Sequence, residues 1–97
     1  MGGLLNINNL WSNKIQSLPD NDCNKALNPG AYTIGEGSKN YPKGFFSYGL
    51  LLVYGENIPG KRLAHICLSA NNEFAIRSRT IPVTGPITEF GNEWTIK

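Results

Sequence analysis

The sequence predicts a mainly β fold, a small antiparallel sheet or sandwich-like knob with long loops and at most one short helical turn. Turn-forming residues are abundant among the 97 residues, with 11 glycines, 6 prolines and 12 asparagines, and they leave little room for long helices. Charged residues make up only 16% of the chain, below the roughly 25% of an ordinary soluble domain. The apolar runs between the turn formers are short, which is typical of strands.

The chain is long enough for one domain, which we place at residues 18–97 behind a lead-in at residues 1–17. The lead-in carries apolar residues without clean periodicity, as expected for the end of an upstream element. A domain of this size buries only about 60% of the surface of its unfolded chain. We therefore expect an oligomer or a covalent neighbour to add to its stability.

Residues 18–48 are predicted to contain one helical turn, one strand and a long loop. Capping residues after Pro19 and a turn at residues 28–30 leave space for a single helical turn. Residues 31–34 form the first predicted strand. The loop at residues 35–48 carries four aromatic side chains, and long loops of this kind often carry function.

Residues 50–54 are apolar at every position, which predicts a central strand covered on both faces. In a domain this small, we expect one of the two covers to be another subunit. A connector rich in turn formers, residues 55–60, leads to the next predicted strand.

The strands at residues 63–68 and 74–80 are predicted to form a hairpin with a three-residue loop at residues 70–72. This loop length sets Leu68 opposite Phe74 and Ile66 opposite Ile76, which makes one face apolar. Such a loop ends in a residue with positive φ, and Asn72 tolerates that conformation well. The opposite face carries the following side chains: Leu63, His65, Cys67, Ala75, Arg77 and Arg79. Prolines interrupt residues 81–86, and a short strand at residues 93–96 closes the domain.

Composition and charge argue against several classes of protein. The richest apolar run, residues 49–54, is far shorter than the roughly 18 residues of a membrane span. The first residues lack the features of a secretory signal, so synthesis in a cytoplasm is expected. A net charge of +2 is too small to predict a nucleic-acid partner. No glycine-rich motif links a strand to a helix, so no nucleotide site is predicted.

The sequence offers little for catalysis, and we predict no enzyme, no cofactor and no metal site. The one histidine, His65, shares a strand face with Cys67, but no carboxylate is placed to orient the pair. Cys23 and Cys67 match no metal-ligand spacing and are predicted to be buried free thiols. A metal held by His65 from three subunits on a threefold axis is an open alternative.

Two groups of residues are candidate ligand-binding residues. Tyr41 and Tyr48 lie in the long loop, where aromatic rings beside polar groups could stack on sugars. His65, Arg77 and Arg79 share the second face of the hairpin within a stretch, residues 61–80, that carries four cations and one acid. This charge would favour an anionic glycan or teichoic acid, and a solvated strand face is the alternative. Phe45 and Phe46 are predicted to serve as core or subunit contacts, and Trp94 is predicted to lie in the core.

Several short motifs follow one another in a distinctive order between residues 18 and 97. They are the runs at residues 27–34 (Leu-Asn-Pro-Gly-Ala-Tyr-Thr-Ile), 42–44 (Pro-Lys-Gly), 49–53 (Gly-Leu-Leu-Leu-Val), 64–66 (Ala-His-Ile) and 74–77 (Phe-Ala-Ile-Arg), with Trp94 near the end. In this order they resemble the pyocin-knob family. Gly91 stands where many members carry the first of two tryptophans.

The resemblance implies a domain of a phage tail fibre, a tail spike or a phage-tail-like bacteriocin. In such particles the fibre is a homotrimer, and its β-rich knobs bind the host surface. The first hypothesis is therefore a trimeric knob, joined to the rest of a tail fibre, that binds a bacterial surface polysaccharide or teichoic acid. The second is a connector or trimerisation domain without a ligand. A third, an enzyme that degrades the polysaccharide, would need carboxylates from more than one subunit.

Overall fold

Strands supply most of the regular structure of residues 15–97, the part of the chain that the computed structural model describes. The strands are β1 (Ile15–Ser17), β2 (Gly30–Ile34), β3 (Gly49–Gly55), β4 (Arg62–Ser69), β5 (Phe74–Thr80) and β6 (Thr95–Ile96). Two consecutive 3-10 turns, Pro19–Asn21 and Cys23–Lys25, stand where the sequence predicts one helical turn. The mainly β class is confirmed. Predictions made for residues 1–14 lie outside the described residues.

All six strands belong to one sheet, in which spatial order follows chain order from β1 to β6. Neighbouring strands from β2 to β6 are antiparallel, whereas β1 pairs with β2 in parallel. The chain between β1 and β2 crosses over the sheet through the two 3-10 turns, and this crossover brings β2 back in the direction of β1. β1 is an edge strand of this sheet. Its three residues lie at the end of the predicted lead-in.

The predicted register of the β4–β5 hairpin is confirmed. Leu68 pairs with Phe74 and Ile66 with Ile76. Ser69 donates its backbone N–H to the Glu73 carbonyl at 2.9 Å, which closes the three-residue loop. Asn72 has a φ of 66°, the left-handed conformation that the loop length predicts.

One face of the sheet, here called the inner face, is covered by the loops that connect the strands. Loop side chains such as Phe45, Ile81 and Phe90 pack there against strand side chains such as Leu51 and Leu63. Cys23 and Cys67 are free thiols in this core, as predicted. The second layer of the domain is therefore built from loops rather than from a second sheet.

The other face, the outer face, is apolar but only half-buried. Its side chains form rows across the strands: Ile15, Ala31, Leu52, Ile66 and Ile76 in one row, and Leu50, Leu68 and Phe74 in the next. Leu68 is 43% exposed and Ile15 is 58% exposed. The sequence predicted cover on both faces of the β3 strand, but within one chain the residues from 15 to 97 bury only the side of Leu51 and Val53.

The cationic face of the β4–β5 hairpin is buried, whereas the sequence predicts that it is open to solvent. His65 is fully buried and Arg77 is 5% exposed, because residues 87–94 fold across the inner face above them. The apolar face of Ile66 and Leu68 is the one that meets solvent. Among residues 15–97, no helix has the length and apolar character needed to span a membrane.

Candidate ligand-binding cleft

The candidate site is built around Arg77, a buried cation on the inner face. β5 places Arg77 directly opposite His65 on β4. The Arg77 Nε–H donates to His65 Nδ1 at 3.1 Å, and the Arg77 Nη1 donates to the Asn92 carbonyl at 2.8 Å. On its other side, the His65 Nε2 lies 2.7 Å from the Ala26 carbonyl. The pair therefore links β4 and β5 to two loops.

Two aromatic rings contact the Arg77 guanidinium. Its central carbon lies 4.1 Å from the ring centroid of Trp94 and 4.7 Å from that of Phe90. The Phe90 ring also stacks on the His65 imidazole, with centroids 4.0 Å apart. Aromatic faces attract cations electrostatically, and the attraction grows when water is excluded. The rings thus offset part of the cost of burying the Arg77 charge.

Hydrogen bonding identifies the protonation state of His65. The Ala26 carbonyl can only accept, so the proton resides on Nε2, and Nδ1 is left as the acceptor for Arg77. Burial and, to a smaller extent, the neighbouring Arg77 charge lower the pKa of His65 to about 3, although the hydrogen bond to the Ala26 carbonyl acts in the opposite direction. Burial likewise lowers the pKa of Arg77 to about 10, so the guanidinium is charged and the imidazole neutral at pH 7.

No carboxylate among residues 15–97 forms an ion pair with Arg77, although the buried Asp22 carboxylate acts on its charge from a longer distance. Within residues 15–97, the ion pair that forms joins Lys25 to Asp20, and Arg77 forms none. The Nη2 of Arg77 is buried and has no hydrogen-bond partner among these residues. A buried donor without a partner is costly and uncommon in native proteins. Arg77 is consequently a cation whose hydrogen bonding is incomplete.

An open cleft of about 400 Å³ lies beside Arg77. Its walls come from three loops and the two C-terminal strands, and combine aromatic, amide and charged side chains. The lining residues are Asn24, Asn40, Tyr41, Lys43, Arg77, Gly91, Asn92, Glu93, Trp94 and Ile96. We call this site the Arg77 cleft.

Hydrogen bonds hold the walls of the Arg77 cleft in place. Trp94 Nε1 donates to the Asn40 carbonyl at 2.9 Å, and the Asn40 amide donates to the Asp22 carboxylate at 2.7 Å. Gly91 N–H donates to the Asn24 side-chain oxygen at 3.3 Å. The bonds of Trp94 and Gly91 join residues more than 50 positions apart in the chain, so the cleft exists only in the folded domain.

The structure brings some of the predicted ligand-binding residues together and separates others. Tyr41 and Arg77 line the cleft. His65 lies beneath it, where it positions Arg77, and Arg79 donates to the Phe90 carbonyl at 3.0 Å, so it holds the covering loop. Tyr48 stands apart from the cleft, 47% exposed, with its ring 5.7 Å from that of Phe46.

Sequence reasoning missed part of the cleft. The sequence predicts Trp94 in the core, and Trp94 does pack against the core, but it also lines the cleft. The sequence gives no indication of a ligand-binding role for Asn24, Asn40, Lys43 or Asn92. These residues are scattered in turn-rich segments, and no local pattern distinguishes them from other polar loop residues.

The side chains that line the cleft suit the binding of a ligand. Tyr41 and Trp94 offer aromatic surface, the asparagines offer amides, Lys43 and Arg77 offer positive charge, and Glu93 offers a carboxylate. Residues 15–97 hold no group of three His, Cys, Asp or Glu side chains arranged for a metal ion. Burial raises the pKa of Cys23 to about 12 and that of Cys67 to about 11, so both thiols stay protonated at pH 7.

Comparisons of the chain with protein-family models, with curated proteins and with solved structures find no match. The resemblance to the pyocin-knob family therefore rests on the sequence motifs themselves.

Proposed function

We propose that the domain is the knob of a phage or prophage tail fibre, or of a phage-tail-like particle, and that it binds a bacterial surface glycan in the Arg77 cleft. The observation that carries the proposal is the composition of the cleft, in which aromatic rings and asparagine amides line one open space. Sugars present apolar C–H faces and hydroxyl groups, which suit aromatic rings and amides respectively. The proposal assigns binding without a catalytic step.

A homotrimer is part of this proposal, and the outer face supports it. Rows of aliphatic side chains from β1 to β5 are half-exposed there, and a patch of this kind marks an interaction surface. In a trimer, three clefts would bind one polysaccharide or cell surface together. Weak single sites would then give strong attachment through avidity.

Two tyrosines of the same loop provide a matched test of the cleft. Tyr41 lines it and Tyr48 does not. We expect Tyr41→Ala to weaken binding to host cell-wall polysaccharide by about tenfold, or ~1.4 kcal/mol, because the ligand loses one aromatic wall. Tyr48→Ala should leave binding within about twofold. Isothermal titration calorimetry with purified polysaccharide measures both.

The reverse result would contradict the assignment of the cleft. If Tyr48→Ala weakened binding and Tyr41→Ala did not, the ligand would sit at the exposed pair formed by Phe46 and Tyr48. Thermal melting of both variants controls for loss of folding.

A second candidate function is a connector or trimerisation domain without a ligand. The outer face favours it, because residues 15–97 leave this apolar face half-exposed, and such a face suits contact with another chain whether or not the cleft is used. The two functions differ in whether the domain binds the host surface. A connector would form an oligomer but would bind neither host cells nor their polysaccharide. A receptor-binding knob would form an oligomer and would bind host cells and their polysaccharide.

A further inference from the structure

We infer that the glycan bound in the Arg77 cleft carries an anionic group, a carboxylate or a phosphate, which lies against Arg77 and Lys43. This inference rests on the proposed function and names the chemical class of its ligand. It starts from an imbalance in the site. Arg77 is nearly buried, is charged at neutral pH, and has no carboxylate partner among residues 15–97.

The imbalance is unusual because burying an unpaired charge is costly. Buried arginines are normally paired with a carboxylate, since the ion pair recovers part of the lost hydration. Here the Trp94 and Phe90 rings and two hydrogen bonds offset some of the cost. Nη2 remains without a partner. A planar guanidinium fork with a free donor matches the oxygens of carboxylates and phosphates.

The rest of the cleft adds to the positive charge. Lys43 is exposed at the rim, and Glu93 is the single carboxylate in the lining. Two cations therefore face one acid. An anionic sugar would contact both cations while its ring stacks on Tyr41 or Trp94.

Nη2 is shielded from solvent, so a direct hydrogen bond to it requires residues around the guanidinium to shift. The Trp94 ring, whose centroid lies 4.1 Å from the guanidinium carbon, is one of these neighbours. The charge of the guanidinium acts on the cleft without that shift. Trp94 is therefore the reporter for binding. The chain has two tryptophans, and Trp11→Phe leaves Trp94 as its only indole.

The test compares three short ligands in the Trp11→Phe protein, with the full 97-residue chain. They are trigalacturonic acid, its trimethyl ester and a glycerol phosphate trimer. The first two share one sugar skeleton and differ in charge, and the third carries phosphate without a uronic acid. We expect trigalacturonic acid or the glycerol phosphate trimer to bind at least about tenfold more tightly than the ester, with a change in Trp94 emission. Added salt should weaken the binding of the acidic ligands alone.

Single charge changes on the cleft rim sharpen the test without disturbing the buried Arg77. We expect Lys43→Gln to weaken binding of the preferred acidic ligand about threefold, and Glu93→Gln to strengthen it about twofold. Lys61→Gln is the control, because Lys61 is an exposed lysine that does not line the cleft. It should leave the affinity unchanged. The gain expected for Glu93→Gln cannot come from misfolding.

The inference is supported if an acidic ligand binds more tightly than the ester and both rim variants have the expected effects. The acidic ligand that binds more tightly then identifies the anionic group as a carboxylate or a phosphate. Equal binding of trigalacturonic acid and its ester overturns the inference but leaves glycan binding in place. Equal weakening by Lys43→Gln and Lys61→Gln overturns it too, because the attraction would then be a general surface effect. Absence of binding by all three ligands, with no binding to host polysaccharide, overturns the proposed function as well.

Discussion

His65 and Arg77 show how two polar side chains can occupy a core although no carboxylate among residues 15–97 forms an ion pair with them. The imidazole stays neutral because burial lowers its pKa and because its Nδ1 accepts a hydrogen bond from the charged Arg77. Protonation would place two cations in contact inside the fold. The stability of the folded domain therefore depends on pH through His65.

We expect the domain to lose stability as the pH falls from 7 to 5. In the unfolded chain His65 takes up a proton near pH 6.5, whereas burial lowers its pKa in the folded domain to about 3. Between these values the unfolded state binds one more proton, so acid favours unfolding. The contribution is about 2 kcal/mol over this range and is fully retained above pH 6.5. Urea unfolding at pH 7, 6 and 5 measures it.

His65→Gln is the matched variant for this measurement. Its amide can donate to the Ala26 carbonyl but does not titrate. We expect a lower stability at pH 7 and a flatter slope between pH 7 and 5. An unchanged stability of the native sequence across this range would contradict the neutral, buried state of His65.

At the scale of elements, the β4–β5 hairpin is specified locally. Its three-residue loop leaves Asn72 with a φ of 66°. The Ser69 hydroxyl accepts from the Asn71 and Glu73 backbone N–H groups, each at 3.1 Å, and donates to the Glu73 carboxylate at 2.7 Å. That carboxylate also accepts from the Phe46 N–H at 2.8 Å. Hydrogen bonds within the turn therefore stabilise it, and Glu73 also joins it to the loop at residues 35–48.

The positive φ of Asn72 leads to a test of this turn. We expect Asn72→Ala to destabilise the domain by about 1 kcal/mol, because alanine disfavours the left-handed region. Asn72→Gly should cause no such loss, since glycine adopts this conformation freely. Asn71→Ala is the control, because Asn71 does not have a positive φ. Equal losses for Asn71→Ala and Asn72→Ala, measured by thermal unfolding, would contradict the turn geometry.

At the scale of the whole molecule, the outer face is the apolar surface that residues 15–97 leave half-exposed. The row from Ile15 to Ile76 crosses five strands, and none of its members is charged. Loops bury the inner face, but the described residues do not bury the outer face. A small domain gains much of its stability from any further apolar burial.

We expect this face to join copies of the chain. Light scattering after size exclusion should give three times the 10.7 kDa chain mass, about 32 kDa. Leu52→Lys, in the middle of the apolar row, should lower the mass to that of one chain, because a buried unpaired lysine disrupts the contact. Thr88→Lys, on an exposed loop, adds the same charge and should leave the mass unchanged. A native mass of 10.7 kDa at every concentration would contradict self-association.

The sequence by itself determined the β class, the register of the β4–β5 hairpin and the conformation of Asn72, because turn residues and the alternation of side chains act over short distances. It also predicted Tyr41 and Arg77 as ligand-binding residues, and both line the Arg77 cleft. Only the tertiary structure decided which face of the hairpin became the interior. The alternation of side chains separates two faces of a strand but does not indicate which face a distant loop will cover. In this domain the segment after β5 supplies Phe90 and Trp94, which cover the face of His65 and Arg77. The Arg77 cleft depends on the same long-range packing, so its asparagines and Lys43 carry no local signal.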